Sequence, residues 1–371
     1  MVRVMPQVLR AALASASCRR GVGSPAAPDV QGDLGKRGLR RRPMALLRAL
    51  TLTALALPLS SISHAGESSN GLDGRGWLER VASAASRTSY HGTMVFSTGS
   101  HMSTTRVVRY CTGKDIYEQH ESLDGPPRLI YRHNQIVHTL WPQKKVAVVQ
   151  QRDARAPFPA LPEGGGDVLA GYQLRLEGTD RVAAHASQVM LLEPHDSLRY
   201  AQRLWAEART GLMLRADVLD REGRVLESIA FTDLKTGVRP QPANVTAAMS
   251  KLDGYQVVKA DITRTRLEDE GWALRTPVPG FKQVSCVKRP VDGREARRDS
   301  PSIVQSVWSD GLAHVSVFIE PYDASRHKTM KSSWGATGTL MRPLGDAWIT
   351  VVGDVPMDAL ERFAAAVERL K

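Results

Sequence analysis

The feature that most constrains the fold is a long series of short segments in which apolar and polar residues alternate with a period of two. In the first segment, Tyr90, Met94 and Phe96 would share one face of a strand. Similar segments continue as far as Phe231, separated by turn signals such as Thr210-Gly211. The connections are too short to contain crossover helices, so the strands are predicted to form an antiparallel meander of hairpins.

An amphipathic helix precedes the meander. In GRGWLERVASAASRTSY, which starts at residue 74, apolar residues recur at steps of three and four, so one face would pack on the sheet. A strongly curved antiparallel sheet with a helix across it can enclose an apolar cavity. Residues 156–167 (APFPALPEGGGD) are rich in turn-forming residues and are predicted to form a loop.

The rest of the chain predicts a second, smaller domain. Residues 246–268 are interpreted as a linker between a larger domain, 66–245, and a smaller one, 269–371. The smaller domain contains several alternating segments and a helical pattern, so it is predicted to be α+β. The chain as a whole is therefore expected to be α+β and mainly antiparallel β.

Two local signals in the smaller domain are specific enough to be checked. The alternating segments in SIVQSVWSDGLAHVSVFIEP meet at Asp310-Gly311, a dipeptide typical of two-residue hairpin turns. The last fifteen residues, MDALERFAAAVERLK, carry a stripe that includes Leu360, Phe363 and Val367. They predict a helix that reaches the end of the chain.

Residues 44–65 (MALLRALTLTALALPLSSISHA) have the organisation of a secretory signal peptide. Basic residues flank Met44, residues 49–59 are apolar, and small residues precede a cleavage site expected after Ala65. The eleven-residue apolar middle is too short for a membrane span, which needs about 20 residues. Residues 1–43 are either a long basic leader or lie upstream of a true start at Met44; we favour the second.

This leader changes the interpretation of the charge. The whole chain has a net charge of +12, but residues 1–65 contain ten basic and two acidic residues, which leaves +4 on the mature protein. The main support for a nucleic-acid partner is thereby lost, and none is predicted.

No motif in the sequence predicts catalysis. The chain lacks a Gly-x-Ser-x-Gly nucleophile elbow and a phosphate-binding loop, and its histidines are scattered without metal-ligand spacing. We therefore predict a protein that is not an enzyme and has no metal or cofactor. Cys111 and Cys286 fall in different predicted domains, and both a disulfide between them and two separate thiols remain open.

Several stretches resemble the RseB/MucB family of periplasmic sigma-E regulators. In the larger domain they are WLERVASAASRTSYHGTMVF, TTRVVRY, ESLDGPPRLIYR and GLMLRADVLDREGRVLESIAF. In the smaller domain they are PVPGFKQVS, WSDGLAHVSVFIEP and DAWITVVGDVP. The resemblance runs from about residue 74 to the C-terminus in the same order and spacing.

The resemblance implies a fold and a role. The larger domain is expected to be similar to the LolA and LppX lipoprotein carriers: an unclosed, curved antiparallel sheet (a half-barrel) with helices in its concavity. The protein is expected in the periplasm as a negative regulator of the envelope-stress response. It would bind the periplasmic domain of an RseA/MucA-type anti-sigma factor, protect it from proteolysis, and be released by a lipid or lipopolysaccharide signal. The alternative is a periplasmic carrier of lipids or lipoproteins.

Further ligands and residues follow as expectations. Lipid A, lipopolysaccharide or lipoprotein acyl chains are the candidate ligands, and a homo-oligomer is compatible with the sequence. The sequence places seven apolar or aromatic residues where they would line the lipid cavity: Trp77, Val81, Tyr90, Met94, Phe96, Trp141 and Phe158. For each of them a plain hydrophobic core is the competing interpretation.

Overall fold

The computed structural model describes residues 72–151, 168–259, 262–275, 278–290 and 302–370. The signal peptide, the loop 156–167 and Phe158 lie outside these ranges. Within them the chain forms a 12-stranded sheet, a 7-stranded sheet and a two-stranded ribbon, with three α-helices. None of the helices in the described ranges is long and apolar enough to span a membrane.

The larger sheet is a curved, unclosed meander. Its strands are β1 Tyr90–Thr98, β2 His101–Thr112, β3 Asp115–Ser122, β4 Leu129–His133, β5 Ile136–Trp141, β6 Val146–Gln151, β7 Tyr172–Val182, β8 His185–Pro194, β9 Ala201–Glu207, β10 Met213–Leu219, β11 Val225–Thr236 and β12 Gln256–Lys259. The spatial order is β12-β6-β5-β4-β3-β2-β1-β11-β10-β9-β8-β7. Neighbours are antiparallel except β12 and β6, so the predicted hairpins are confirmed.

The pairing of β1 with β11 joins the first and last hairpins into one sheet. A bulge between Thr93 and Met94 bends this pair, which increases the local twist. Gly92 lies beside the bulge, and a Cβ atom there would come within 2.3 Å of the Asp233 carbonyl oxygen. Only glycine lets the two backbones approach so closely.

Helix α1, Gly74–Arg87, lies against this sheet. The Asp73 side chain caps its first turn by accepting a hydrogen bond from the Gly76 N–H at 2.8 Å. The predicted amphipathic face is confirmed, because Trp77, Leu78 and Val81 are all buried.

The predicted linker 246–268 is wrong in its first half. Helix α2, Pro242–Ser250, packs beside β3 and β4 and buries Val245 and Met249 in a core of the larger domain. Residues 256–259 then form β12, parallel to β6. The sequence pattern missed these elements because the helix and the strand are short and only weakly amphipathic.

The smaller domain is α+β. Its elements are β13 Thr263–Arg264, β14 Trp272–Leu274, β15 Lys282–Pro290, β16 Ser302–Ser309, β17 His314–Pro321, β18 Met330–Trp334, β19 Thr337–Leu344, β20 Ala347–Gly353, α3 Met357–Ala366 and β21 Val367–Arg369. Seven strands form a sheet in the order β13-β15-β16-β17-β20-β19-β18. Helix α3 covers it and buries Leu360 and Phe363.

Two local predictions in this domain are wrong. The last helix ends at Ala366, and Val367–Arg369 becomes a strand that pairs with Trp272–Leu274. The β16–β17 connection has four residues, 310–313, because Ser309 pairs with His314. In both places long-range contacts override a local pattern.

The two cysteines in the described ranges, Cys111 and Cys286, are free thiols on different sheets, so the structure has separate thiols and no bridge between them. Cys286 is buried, and burial, together with the carboxylates of Glu270 and Glu268, raises its pKa to about 11.

Candidate functional site

The candidate site is the face of the larger sheet that α1 covers, which we call the trough. Trp77, Leu78, Val81 and Ala84 project from α1 into it and are at most 6% exposed. Trp77, Leu78 and Val81 belong to a core to which β1, β2 and β7 to β11 also contribute. The helix therefore fills the trough with its own apolar face.

Four of the seven predicted lining residues come together there. Trp77, Val81, Tyr90 and Met94 belong to one buried cluster, in which the Tyr90 ring meets Phe231 edge-on at 5.5 Å. They pack as the side chains of a hydrophobic core do, so their role in lining a ligand cavity stays a prediction.

Phe96 and Trp141, two further predicted residues, are not part of that cluster. Phe96 continues the Tyr90 face of β1 and is half-buried, and Trp141 is half-buried at the end of β5. The structure does not place Trp141 in the core beneath α1.

A row of directly paired residues crosses the same sheet and carries charge into its interior. Tyr90 on β1 is opposite Arg109 on β2, Arg109 is opposite Glu118 on β3, and Glu118 is opposite Arg132 on β4. The Glu118 carboxylate accepts hydrogen bonds from both guanidinium groups, with the Arg132 Nη1 atom 3.0 Å from Oε2. All four side chains are buried.

The surroundings of Glu118 hold it in the charged form. Burial alone would raise its pKa, but His120, with Nε2 3.8 Å from Oε2, and the charges of Arg109 and Arg132 outweigh burial and lower it. Burial raises the pKa of Tyr90 despite the neighbouring Arg109 charge. At neutral pH the row therefore contains an ionised carboxylate between two cations and a protonated phenol.

The row also fixes the end of α1. Arg109 Nη2 donates a hydrogen bond to the Ala85 carbonyl in the last turn of the helix. The guanidinium thus satisfies a helix-terminal acceptor and complements the negative end of the helix dipole. Two residues on, the Cys111 N–H donates to Ser89 Oγ at 3.0 Å. Strand β2 consequently positions helix α1 over the trough.

Only part of the signal for this row is present in the sequence. Arg109 is two residues from Val107 and is predicted to lie on the same face of the strand, yet nothing local pairs it with Glu118 or Arg132. A charged residue at an inward position of three successive strands is the available clue. The strand register needed to use it follows only from the folded sheet.

The site is a packed apolar surface bordered by a row of buried, hydrogen-bonded charged residues. In the part of the chain that the structure describes, no group of three or more His, Cys, Asp or Glu side chains is arranged to hold a metal ion. The charged row serves packing and orientation through its mutual hydrogen bonds.

Comparisons with known proteins agree with the two-domain architecture. Models of the MucB/RseB N-terminal and C-terminal domains match residues 73–249 and 266–368. The chain is 30% identical over 327 residues to the sigma factor AlgU regulatory protein MucB of Pseudomonas aeruginosa, covering 85% of this chain and 96% of that relative. It is 23% identical to the sigma-E factor regulatory protein RseB of Haemophilus influenzae, covering 86% and 97%.

Solved structures extend the similarity to three dimensions. The MucA/MucB complex of P. aeruginosa matches with a TM-score of 0.62 and 26% identity, covering 81% of this chain and all of the matched chain. A structure of MucB in complex with MucA(peri) matches with a TM-score of 0.61.

Proposed function

The chain belongs to the MucB/RseB family, and on that basis we propose that it is a periplasmic negative regulator of a sigma-E-type envelope-stress response. It would bind the periplasmic domain of an RseA/MucA-type anti-sigma factor and protect that domain from regulated proteolysis. The observation that carries the proposal is the match of both domains, in order, to MucB, a relative whose structure is described in complex with MucA(peri).

The family match supports a binding function better than a catalytic one. In the larger domain, the buried Glu118 carboxylate accepts hydrogen bonds from both Arg109 and Arg132. A carboxylate held between two guanidinium groups orders the fold and is not free to act as a base toward a substrate. The protein would therefore act by covering a partner and leaving its covalent structure unchanged.

The decisive experiment measures protection of the partner. Purified residues 66–371 are mixed with the periplasmic segment of the anti-sigma factor encoded by the same organism, and cleavage of that segment by the first protease of the cascade is followed. We expect co-purification and a slower cleavage rate that saturates with added protein. Heat-unfolded protein is the control. Unchanged cleavage at saturating concentrations would contradict the proposal.

We further propose that a lipid or lipopolysaccharide signal releases the partner. Each buried acyl CH₂ group contributes about 0.8 kcal/mol, so a few carbons can provide the roughly 1–3 kcal/mol typical of coupling between sites. The support in this chain is the apolar face of α1, with Trp77 and Val81 buried against the sheet. A guest in the trough would have to displace that face, and it would release the partner only if it prefers the displaced state.

The alternative function is that of a carrier of lipids or lipoproteins. Native mass spectrometry of the same protein, together with the cleavage assay, distinguishes a carrier from a regulator. A carrier predicts stoichiometric acyl chains in native mass spectra and no effect on cleavage of the anti-sigma factor. A regulator predicts protection of the anti-sigma factor by protein that carries no lipid.

A further inference from the structure

The larger and smaller domains exchange one leucine each. Leu312, from the β16–β17 loop of the smaller domain, is 1% exposed and belongs to the core beneath α1 in the larger domain. Leu198, from the β8–β9 loop of the larger domain, is 3% exposed and belongs to the core of the smaller domain. Each core is therefore completed by a side chain from the other domain.

A buried ion pair lies next to this exchange. Arg199 follows Leu198, and its Nε atom donates to Asp310 Oδ2 at 2.7 Å. The phenol of Tyr172, itself in the core beneath α1, donates to the same oxygen at 3.2 Å. The Arg199 and Asp310 side chains are only 2% and 3% exposed. A polar contact between the domains is thus sealed from water.

The other two nitrogens of the Arg199 guanidinium are also engaged, one across the domain boundary and one within the larger domain. Its Nη2 atom donates to the Pro279 carbonyl at 2.7 Å, and the guanidinium lies 4.9 Å from the centre of the Phe281 ring. Both of those residues belong to the smaller domain. On its own side, Nη1 donates to the Asp196 carboxylate. All three guanidinium nitrogens therefore have partners.

A glycine from each domain makes room for this guanidinium. A Cβ atom at Gly280, whose φ is +78°, would meet Arg199 Nη2 at 2.2 Å, and one at Gly171 would meet Nε at 3.1 Å. The backbone at Gly280 is in the left-handed region that glycine favours. The space that the Arg199 guanidinium occupies is consequently shaped by residues that lie far apart in the sequence.

Asp310 has two separate tasks, one for each carboxylate oxygen. Oδ1 accepts hydrogen bonds from the N–H groups of Leu312 and Ala313, at 3.0 and 2.8 Å, and so shapes the loop that presents Leu312. Oδ2 faces the larger domain, where it accepts from Arg199 and Tyr172. Loop shape and domain contact can therefore be altered independently.

We propose that Arg199, Asp310 and Tyr172, with the exchanged Leu198 and Leu312, form a clasp that makes the two domains open and unfold as one cooperative body. Parting the domains would expose two core leucines to water and break the buried ion pair between Arg199 and Asp310, and the exposure of core side chains is strongly unfavourable. The clasp also connects Tyr172 in the trough to the smaller domain. A role of that connection in signalling would rest on the proposed function. The cooperative unfolding of the two domains does not depend on the proposed function.

The test compares two Asp→Asn substitutions in the mature chain without any partner. Asp310→Asn keeps the Oδ1 acceptor for the loop but turns an amide N–H₂ group toward two donors. Asp358→Asn is the matched control, because its carboxylate faces Arg221 at 3.6 Å between the same domains, with both side chains more than 60% exposed. Amide hydrogen exchange is followed across a urea series in β9 and β10 of the larger domain and β16 and β17 of the smaller one.

In the wild type and in Asp358→Asn we expect both domains to lose protection at the same urea concentration. In Asp310→Asn we expect two separate midpoints and at least tenfold faster exchange around Leu312. Separate midpoints in the wild type, or identical behaviour of the two variants, would overturn the clasp.

If Asp310→Asn does not fold, Tyr172→Phe takes its place, since it removes only the hydroxyl group that reaches Asp310. Faster exchange around Leu312 than in Asp358→Asn supports the clasp, and equal exchange overturns it. Because no anti-sigma factor is present, failure here leaves the proposed function standing, and failure of the protection assay leaves the clasp standing.

Discussion

At the scale of single residues, Glu118 shows how a charge is kept inside the larger domain. Its carboxylate is 3% exposed and paired with Arg109 and Arg132 on the neighbouring strands. A buried ion pair does not stabilise a fold much more than well-packed apolar residues would, but removing one partner is strongly destabilising. The row therefore selects one strand register and penalises any change in it.

Glu118→Gln should lower the free energy of unfolding by about 3–5 kcal/mol at pH 7, since it leaves two buried guanidinium groups without their anion. Glu121→Gln is the matched control on the same strand, because its partner Arg106 is 54% exposed. That pair should contribute no more than about 1 kcal/mol. Urea unfolding at fixed pH measures both, and equal losses would contradict this account of the row.

The same residue predicts a pH dependence. The pKa of Glu118 is lowered in the folded protein, so the unfolded state takes up the proton first as the pH falls. Its contribution is complete above the unfolded value of about 4.3 and is lost as the pH drops toward the folded value. The difference in unfolding free energy between wild type and Glu118→Gln should therefore shrink below about pH 4.

At the scale of elements, α1 owes its position to both ends. Asp73 caps its first turn, and Arg109 binds the carbonyl of Ala85 in its last turn. Between these ends the helix contributes the apolar face that fills the trough. The two end contacts and the buried apolar face together hold the helix on the sheet.

Asp73→Ala should destabilise the protein by about 1 kcal/mol, because the Gly76 N–H loses its acceptor. Asp73→Asn is the control, since asparagine caps about as well as aspartate. Amide hydrogen exchange in residues 76–87 measures the local effect. Equal exchange in the alanine and asparagine variants would show that the cap does not hold the helix.

At the scale of the whole molecule, the clasp determines whether the two domains can move and unfold separately. The domains are joined covalently through residues 260–261 and non-covalently by the exchanged leucines and Arg199. Glu227 of the larger domain adds a further contact by accepting a hydrogen bond from the Ala336 N–H of the smaller domain at 3.1 Å. These contacts make a freely hinged pair of domains unfavourable, and a signal that parts the domains has to break them.

Cutting the covalent link provides the corresponding prediction. With a protease recognition sequence inserted after Lys259, the two cleaved halves should still co-elute as one species in size-exclusion chromatography. The buried contacts alone should hold them. The same insertion combined with Asp310→Asn should let the halves separate. Separation of the halves without that substitution would mean that the clasp is too weak to join the domains.

Much of the fold follows from the sequence alone, since period-two alternation, short turns and one amphipathic stripe are local properties. They determined the hairpin meander, α1 and the α+β character of the smaller domain. The resemblance of these same stretches to RseB/MucB proteins indicated the family that both domain models match.

Only the tertiary structure decided which distant residues are in contact. The pairing of β1 with β11, the row around Glu118 and the contact of Arg199 with Asp310 join residues that lie from nine to more than a hundred positions apart. At Asp310-Gly311 the local turn signal was misleading, because a buried ion pair uses the aspartate and lengthens the loop to present Leu312. Local preferences amount to tenths of a kcal/mol up to about 1 kcal/mol, and buried charges and core side chains contribute several, so the long-range contacts prevail.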